Sequence, residues 1–252
     1  LAIALTFVMA GLFFVLMSGG SQATYSHTIS VTGENPQSGE PDETLTFTLE
    51  IDNTGSDNDD YTLGVSTVEP TGWDLYLNRY SISVSDGTQG EVKLYVDIGN
   101  RSNALGGATK YPEIWCQSAG ESANNETVTA IAKVKKVHGT TLATSLNSIN
   151  VDPNTAATFS INISNDKGNF EDRVTFSQLS TGTDAWTFTL PGQTDLDVDE
   201  TKTVSFSVTP DIEALAGLKS ISFVATSTQD DDPSPSVSTL TVTVRVNQLP
   251  AL

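Results

Sequence analysis

The chain is poor in the residues that build redox, zinc and nucleophilic centres. Among its 252 residues there is one cysteine, Cys116, so no disulfide can form within the chain. Its neighbours Ile114 and Trp115 predict a small residue of the core. The two histidines, His27 and His138, have no carboxylate or serine motif beside them in sequence. This composition argues against thiolate and imidazole zinc sites.

Motifs of the common hydrolases, metalloproteases and nucleotide-binding proteins are also missing. The sequence contains no H-E-x-x-H, no G-x-S-x-G and no glycine loop that would cradle a phosphate. Catalysis would have to rest on surface carboxylate pairs, which no pattern singles out. We therefore expect a protein that is not an enzyme and has no cofactor, with calcium the one candidate ion.

Basic residues are scarce as well. Lys and Arg number 12 against 31 Asp and Glu, which gives a net charge of −19. A polyanion of this size repels nucleic acid and anionic lipid. The excess fits a salty or calcium-containing medium, and equally fits an acidic surface that serves only solubility. The expected partners are other surface proteins or copies of the same chain.

The first 17 residues, Leu1 to Met17, are uncharged and almost wholly apolar. Three interpretations stay open: a secretory signal cleaved before Thr24, a membrane anchor, and the core helix of a pilin-like filament. Contact with a membrane is expected only through residues 1–17. All three interpretations place the rest of the chain outside the cytoplasm, at the cell surface.

Alternation of apolar and polar residues predicts β-strands. Residues 45–51 alternate with the period of a strand that has one buried face, and the polar residues 53–60 then form a turn. A second apolar run, 61–65, follows. The same succession returns from Ala157 onwards, and helical periodicity is absent after residue 20 apart from a short stretch near 211–215.

The return of the pattern predicts a tandem duplication. Phe47 and Phe159 are 112 residues apart (159 − 47), and Trp73 and Trp186 are 113 apart (186 − 73). We expect all four to be core residues. Trp115 has no aromatic counterpart 110 residues on, which makes it the better candidate for a contact surface.

Each copy holds seven or eight short strand-like runs, the pattern of an immunoglobulin-like sandwich. The predicted class is all-β: two tandem immunoglobulin-like β-sandwiches preceded by a short N-terminal hydrophobic helix. The expected boundaries are 1–23 for the hydrophobic segment, 24–136 and 137–248 for the sandwiches, and 249–252 for a linker or continuation.

Three groups of residues give the chain a resemblance to a known family: Asn53-Thr54-Gly55, Tyr61-Thr62-Leu63 and Gly72-Trp73. Together they resemble the immunoglobulin-like modules of archaeal and bacterial surface proteins, of the alpha-galactosidase-associated and CARDB types. In the second copy Asp166-Lys167-Gly168 extends the turn. The resemblance implies a non-catalytic extracellular module and carries over no catalytic residue.

Two acidic loops are candidates for calcium, which prefers hard oxygen ligands. The candidates are Asp57, Asp59 and Asp60 in the first copy and Asp230, Asp231 and Asp232 in the second. In a third acidic stretch, 195–199, the aspartates alternate with apolar residues, and we expect a strand with a solvated face there.

Asn100, Asn125 and Asn162 fit the acceptor rule for N-glycosylation. Asn162 lies between two apolar residues expected to point inward, so it needs an open outer face. The sequence thus predicts a structural or adhesive cell-surface glycoprotein. The alternatives are a filament subunit with residues 1–20 as its core helix, and a carbohydrate-binding accessory module of a secreted hydrolase.

Overall fold

A computed structural model describes residues 22–66, 72–180, 185–227 and 235–247. This part of the chain is all-β and contains no helix. No helix within these ranges is both long and apolar enough to cross a membrane. The predicted N-terminal helix of residues 1–20, and Asp230, Asp231 and Asp232, lie outside the described residues.

The first half contains eleven strands. They are β1 His27–Thr32, β2 Gln37–Gly39, β3 Thr44–Asn53, β4 Asp59–Val65, β5 Asp74–Leu77, β6 Ser81–Val84, β7 Gln89–Asp97, β8 Thr109–Lys110, β9 Glu113–Ser118, β10 Asn125–Thr129 and β11 Ala132–Val134.

The second half contains nine strands. They are β12 Thr140–Ala143, β13 Ser148–Val151, β14 Ala157–Asn165, β15 Asp172–Ser180, β16 Thr187–Thr189, β17 Thr194–Leu196, β18 Thr201–Thr209, β19 Gly217–Ser227 and β20 Val237–Val246.

Strands of the two halves follow the same order in their sheets. The first half has sheets β1-β3-β7-β5 and β10-β9-β4-β6, with a small third sheet β2-β11-β8. The second half has sheets β12-β14-β18-β16 and β13-β20-β19-β15-β17. Register agrees as well, since Phe47 pairs with Leu94 in one half and Phe159 with Phe206 in the other. Within the described residues, no strand pairing joins the two halves.

The core of each half lies between its two sheets. In the first half, Phe47 and Leu94 from one sheet and Tyr61 and Ile114 from the other are fully buried in a single apolar cluster. Alternation explains this, because every second residue of β3 is buried along its whole length.

Large aromatic side chains fill equivalent places in both cores. Phe159 is fully buried, and Trp73 and Trp186 are buried. Because each indole lies just before a short edge strand, β5 or β16, it closes one side of its core.

Two strand-like runs of the sequence are interrupted in the structure. The run Leu142–Ile149 forms two strands, since β12 and β13 belong to different sheets, with a break over 144–147. Pro112 lies between β8 and β9, and its carbonyl accepts the N–H of Ala130 at 2.9 Å. β8 pairs with β11 in the small third sheet, whereas β9 lies between β10 and β4, so the proline marks the point where the chain passes from one sheet to another.

Cys116 offers a chemical probe of this core. Its thiol is fully buried, and burial, followed by the Asp59 and Glu126 carboxylates, raises its pKa to about 12. At pH 8 the thiolate is therefore a minute fraction of the folded protein, and the reactive species is missing.

We expect the folded chain to resist a disulfide reagent at pH 8, with a rate at least about a hundredfold below that of the unfolded chain. Reaction followed with and without denaturant measures this. Equal rates would show that strand β9 does not lie in a closed core.

Candidate functional site at the junction between the halves

Buried polar side chains gather where strands end in each half. Asn53, at the end of β3, is fully buried and donates from Nδ2 to the carbonyl oxygens of Asp57 (2.9 Å) and Val84 (3.0 Å). Asn165, at the end of β14, makes the corresponding bonds at 2.8 and 3.4 Å. Each asparagine thus ties its own turn to the neighbouring short strand.

A buried carboxylate lies beside each of these turns. Asp59 accepts from the Ser118 hydroxyl at 2.5 Å and from the N–H groups of Asp60 (2.9 Å) and Gly120 (3.1 Å). Burial and this carboxylate raise the pKa of Tyr61. Asp59 therefore joins the start of β4 to the end of β9, as a structural anchor whose oxygens already have donors.

The three carboxylates predicted as calcium ligands in this turn are not brought together. Asp57 is exposed, Asp59 points into the protein, and Asp60 bonds to Ser83 on the outside. Across the described ranges, no three His, Cys, Asp or Glu side chains are close enough to hold a metal ion. Calcium at Asp230, Asp231 and Asp232 stays a prediction.

The second half places a histidine and a serine around its buried carboxylate. Asp172 accepts from Thr140 Oγ1 at 2.9 Å and lies 3.3 Å from His138 Nδ1. Ser227 Oγ contacts both Asp172 and His138 Nδ1. This group could not be predicted from sequence, because Asp172 is 34 positions from His138 and 55 positions from Ser227.

These residue types occur in hydrolases, but their geometry here is different. An activated serine contacts one imidazole nitrogen while the carboxylate holds the other. Here serine and carboxylate meet the same nitrogen, Nδ1, and both Ser227 and Asp172 are fully buried. The arrangement fixes the segment that carries His138, which connects the two halves.

Asn169 is the centre of the contact between the halves. Its fully buried side chain donates from Nδ2 to the carbonyl oxygens of Ala104 (3.2 Å) and Lys135 (2.9 Å). Its Oδ1 accepts from Val137 N at 2.8 Å, and its backbone oxygen accepts from Gly106 N at 2.7 Å. The side chain therefore bonds to a loop of the first half and to the connection, and the backbone of the same residue adds a bond to that loop.

Arg101 adds a second attachment from the same loop. Its Nη1 donates to Gly168 O at 3.1 Å, and its Nη2 lies 2.5 Å from Asp199 Oδ1. Asp199 has a φ of 62° in a turn, so the expectation of a solvated strand over 195–199 is wrong beyond Leu196, where β17 ends. The left-handed turn aims this carboxylate at the first half.

Glycine permits the close approach of the two chains. A Cβ built on Gly139 would lie 1.7 Å from the Gly168 nitrogen. No side chain fits there, so Gly139 lets the connection run against the turn 165–171. Lys136 Nζ, in the same connection, lies 5.4 Å from the centre of the Phe170 ring.

All three glycosylation candidates are exposed. Asn100 precedes the junction loop, and its Oδ1 accepts the N–H of Ser102 at 3.1 Å. Asn125 begins β10. Asn162 faces outward in β14, where its Oδ1 accepts from Thr203 Oγ1 at 2.8 Å. Modification of these residues stays a prediction.

Comparisons with known proteins do not assign a family. No family model matches the chain, and no curated protein matches it. Mouse clustered PcdhgC3 EC1–3 is 16% identical, with 89% of this chain and 68% of that chain covered and a TM-score of 0.43. A protein of unknown function from Porphyromonas gingivalis W83 is 13% identical, over 86% and 99%, with a TM-score of 0.33. At these values neither likeness carries an argument about this chain.

Substitution of Asp59 can distinguish a structural role of its carboxylate from a role as a metal ligand. We expect Asp59→Ala to lower the free energy of unfolding by about 2–4 kcal/mol, because it leaves a buried hydroxyl and two N–H groups without an acceptor. The exposed Asp57→Ala should change it by no more than about 0.5 kcal/mol. Denaturant unfolding of both variants, with and without calcium, measures this. A calcium-dependent loss of stability shared by both would contradict the structural role.

Proposed function

We propose that this chain is a non-catalytic protein of the cell surface, in which each half is one immunoglobulin-like module and the modules are tandem copies. They act as a stiff, acidic spacer that presents or links other parts outside the cell. Equal strand order in the two halves supports the duplication. The partners are other surface proteins or further copies of the chain.

The observation that carries the proposal is the hydrogen bonding of Asn169. Modules joined by a free linker reorient, because few contacts cross between them. Here reorientation would unpair three bonds of a buried side chain and the backbone bond from Gly106. Since buried groups without partners are costly, one orientation is favoured.

Surface chemistry supports the same role. A net charge of −19 keeps the surface hydrated and opposes collapse of the modules onto each other. Cross-strand hydroxyl pairs, such as Thr158 with Ser207 and Ser222 with Thr241, satisfy polar groups on the outer faces of the second half. Such faces remain wetted and do not require a covering layer.

Export is part of this proposal. It rests on the apolar residues 1–17 and on the resemblance to modules of surface proteins. The filament alternative requires residues 1–20 to form a helix. It therefore requires that segment to be retained in the mature chain, which distinguishes it from a spacer whose segment is cleaved.

The junction can be tested with a matched pair of variants. Asn169→Ala should widen the distribution of shapes seen by small-angle scattering and cost about 3 kcal/mol of coupling, for three lost side-chain bonds. Ser56 holds the equivalent place in the first half, where its Oγ accepts from Thr24 N at 3.0 Å. Ser56→Ala should leave the scattering curve unchanged.

A wild-type chain that already scatters as two freely tumbling bodies would refute the stiff spacer. An Asn169→Ala curve identical to wild type would show that other contacts hold the modules. Circular dichroism of each variant separates loss of the junction from loss of the fold.

A further inference from the structure

Trp115 lies across a glycine on the outer face of the sheet β10-β9-β4-β6. Gly64 is its direct partner on β4. A Cβ built on Gly64 would meet three atoms of the indole at 2.4, 2.5 and 2.7 Å. Near-equal distances to three ring atoms place the ring over the Gly64 Cα, which only glycine permits. The indole is half-buried, with one side against the sheet.

Uncharged hydrogen-bonding side chains occupy the positions beside Trp115 toward Gln117, while the exposed Glu113 lies on the opposite side along β9. Gln117 follows Trp115 outward on β9 and pairs with Thr62 on one side and Asn125 on the other. Thr127 is the partner of Trp115 on β10. Apart from the half-buried Gln117, these side chains are exposed. Gln117 Nε2 donates to Ser122 O at 2.8 Å, which holds the amide in place.

We propose that this face binds a neutral saccharide, with Trp115 as the stacking surface. A pyranose ring offers one apolar face of C–H groups and a rim of hydroxyls. The flat indole takes the apolar face, and the amide and hydroxyl groups around it donate to and accept from the rim. A chain of charge −19 repels acidic polysaccharides, so the ligand class is neutral.

The other exposed aromatic side chains of the described ranges offer a different surface, since Tyr80 and Tyr111 lie outside the strands and have no sheet face beneath them. Trp73 and Trp186 are buried. Tyr76 and Tyr95 lie on the outer face of the other sheet, but their ring centres are 5.1 Å apart and their planes differ by 26°. Rings so close and nearly parallel stack on each other, which leaves no continuous flat surface.

The equivalent place in the second half is different. Gly64 corresponds to Ser177, which pairs with Val224. Hence the residue at the position of Trp115 is Val224, one earlier than the sequence offset of 110 predicted. With neither a ring nor a glycine there, the described part of the second half does not repeat this face.

Binding can be measured with cellohexaose, maltohexaose and mannohexaose by the indole signals in an NMR titration. We expect one of these probes to shift the Trp115 indole signal and to leave those of Trp73 and Trp186 in place. Trp115→Ala should weaken binding at least tenfold, and Gln117→Ala several-fold. Tyr76→Ala, which removes an exposed aromatic from the other sheet, should bind as wild type.

Gly64→Ala tests the geometry while keeping the tryptophan. Its methyl group displaces the ring, so binding should fall as in Trp115→Ala although the side chain is present. Circular dichroism confirms that each variant is folded.

The proposal is overturned if none of the three oligosaccharides shifts the Trp115 signal at millimolar concentration, or if Trp115→Ala binds as wild type. Stronger binding of the acidic polymer alginate would overturn the neutral class. None of these results bears on the stiffness of the junction, so the spacer function stands or falls separately.

Discussion

Hydrogen bonding of polar groups that the fold buries at its strand ends is the constraint on which the structure depends. A sandwich must reverse its chain many times, and each reversal leaves backbone groups near the core. Asn53 and Asn165 satisfy carbonyls of their own turn and of the adjacent short strand. Asp59 and Asp172 do the same for hydroxyl groups at the end of the facing strand. An apolar core alone would leave these ends open.

The turn at the junction is the second-half counterpart of the turn after β3, lengthened by one residue. The turn from Asn53 to Asp59 is one residue shorter than the turn from Asn165 to Asp172. Ser56 in the first turn bonds to the incoming chain and to the adjacent Asp57, whereas Asn169 has an amide long enough to bond also to the preceding half. In the second half this turn therefore also bonds to the first half, without any shared sheet.

Alternation explains why much of the fold could be predicted. The alternation of apolar and polar residues in β3 predicts the burial of Phe47, and the polar run 53–60 predicts the turn between β3 and β4. The alternation of β4 also predicts the burial of Asp59, because Asp59 lies two residues before the inward-facing Tyr61. Read that way, Asp59 is an inward carboxylate in need of donors.

Contacts between residues distant in sequence could not be predicted from any local stretch of the sequence. Asn169 and Ala104 are 65 positions apart, and Arg101 and Asp199 are 98 apart. Nothing near either member of these pairs specifies the other. Only the longer second turn, extended by Asp166-Lys167-Gly168, indicated that this end had changed.

The junction and the proposed saccharide-binding face lie in different parts of the fold. The junction is built in turns and loops at the strand ends, from backbone groups, the Asn169 amide and the Arg101–Asp199 ion pair. Trp115 lies in the middle of an outer face, supported by Gly64 in the same sheet. Since the sheet is already hydrogen-bonded through its own backbone, a side chain on its outer face can change without disturbing the turn. The second half has Val224 at the equivalent place, together with the same strand order and a buried asparagine at the same strand end.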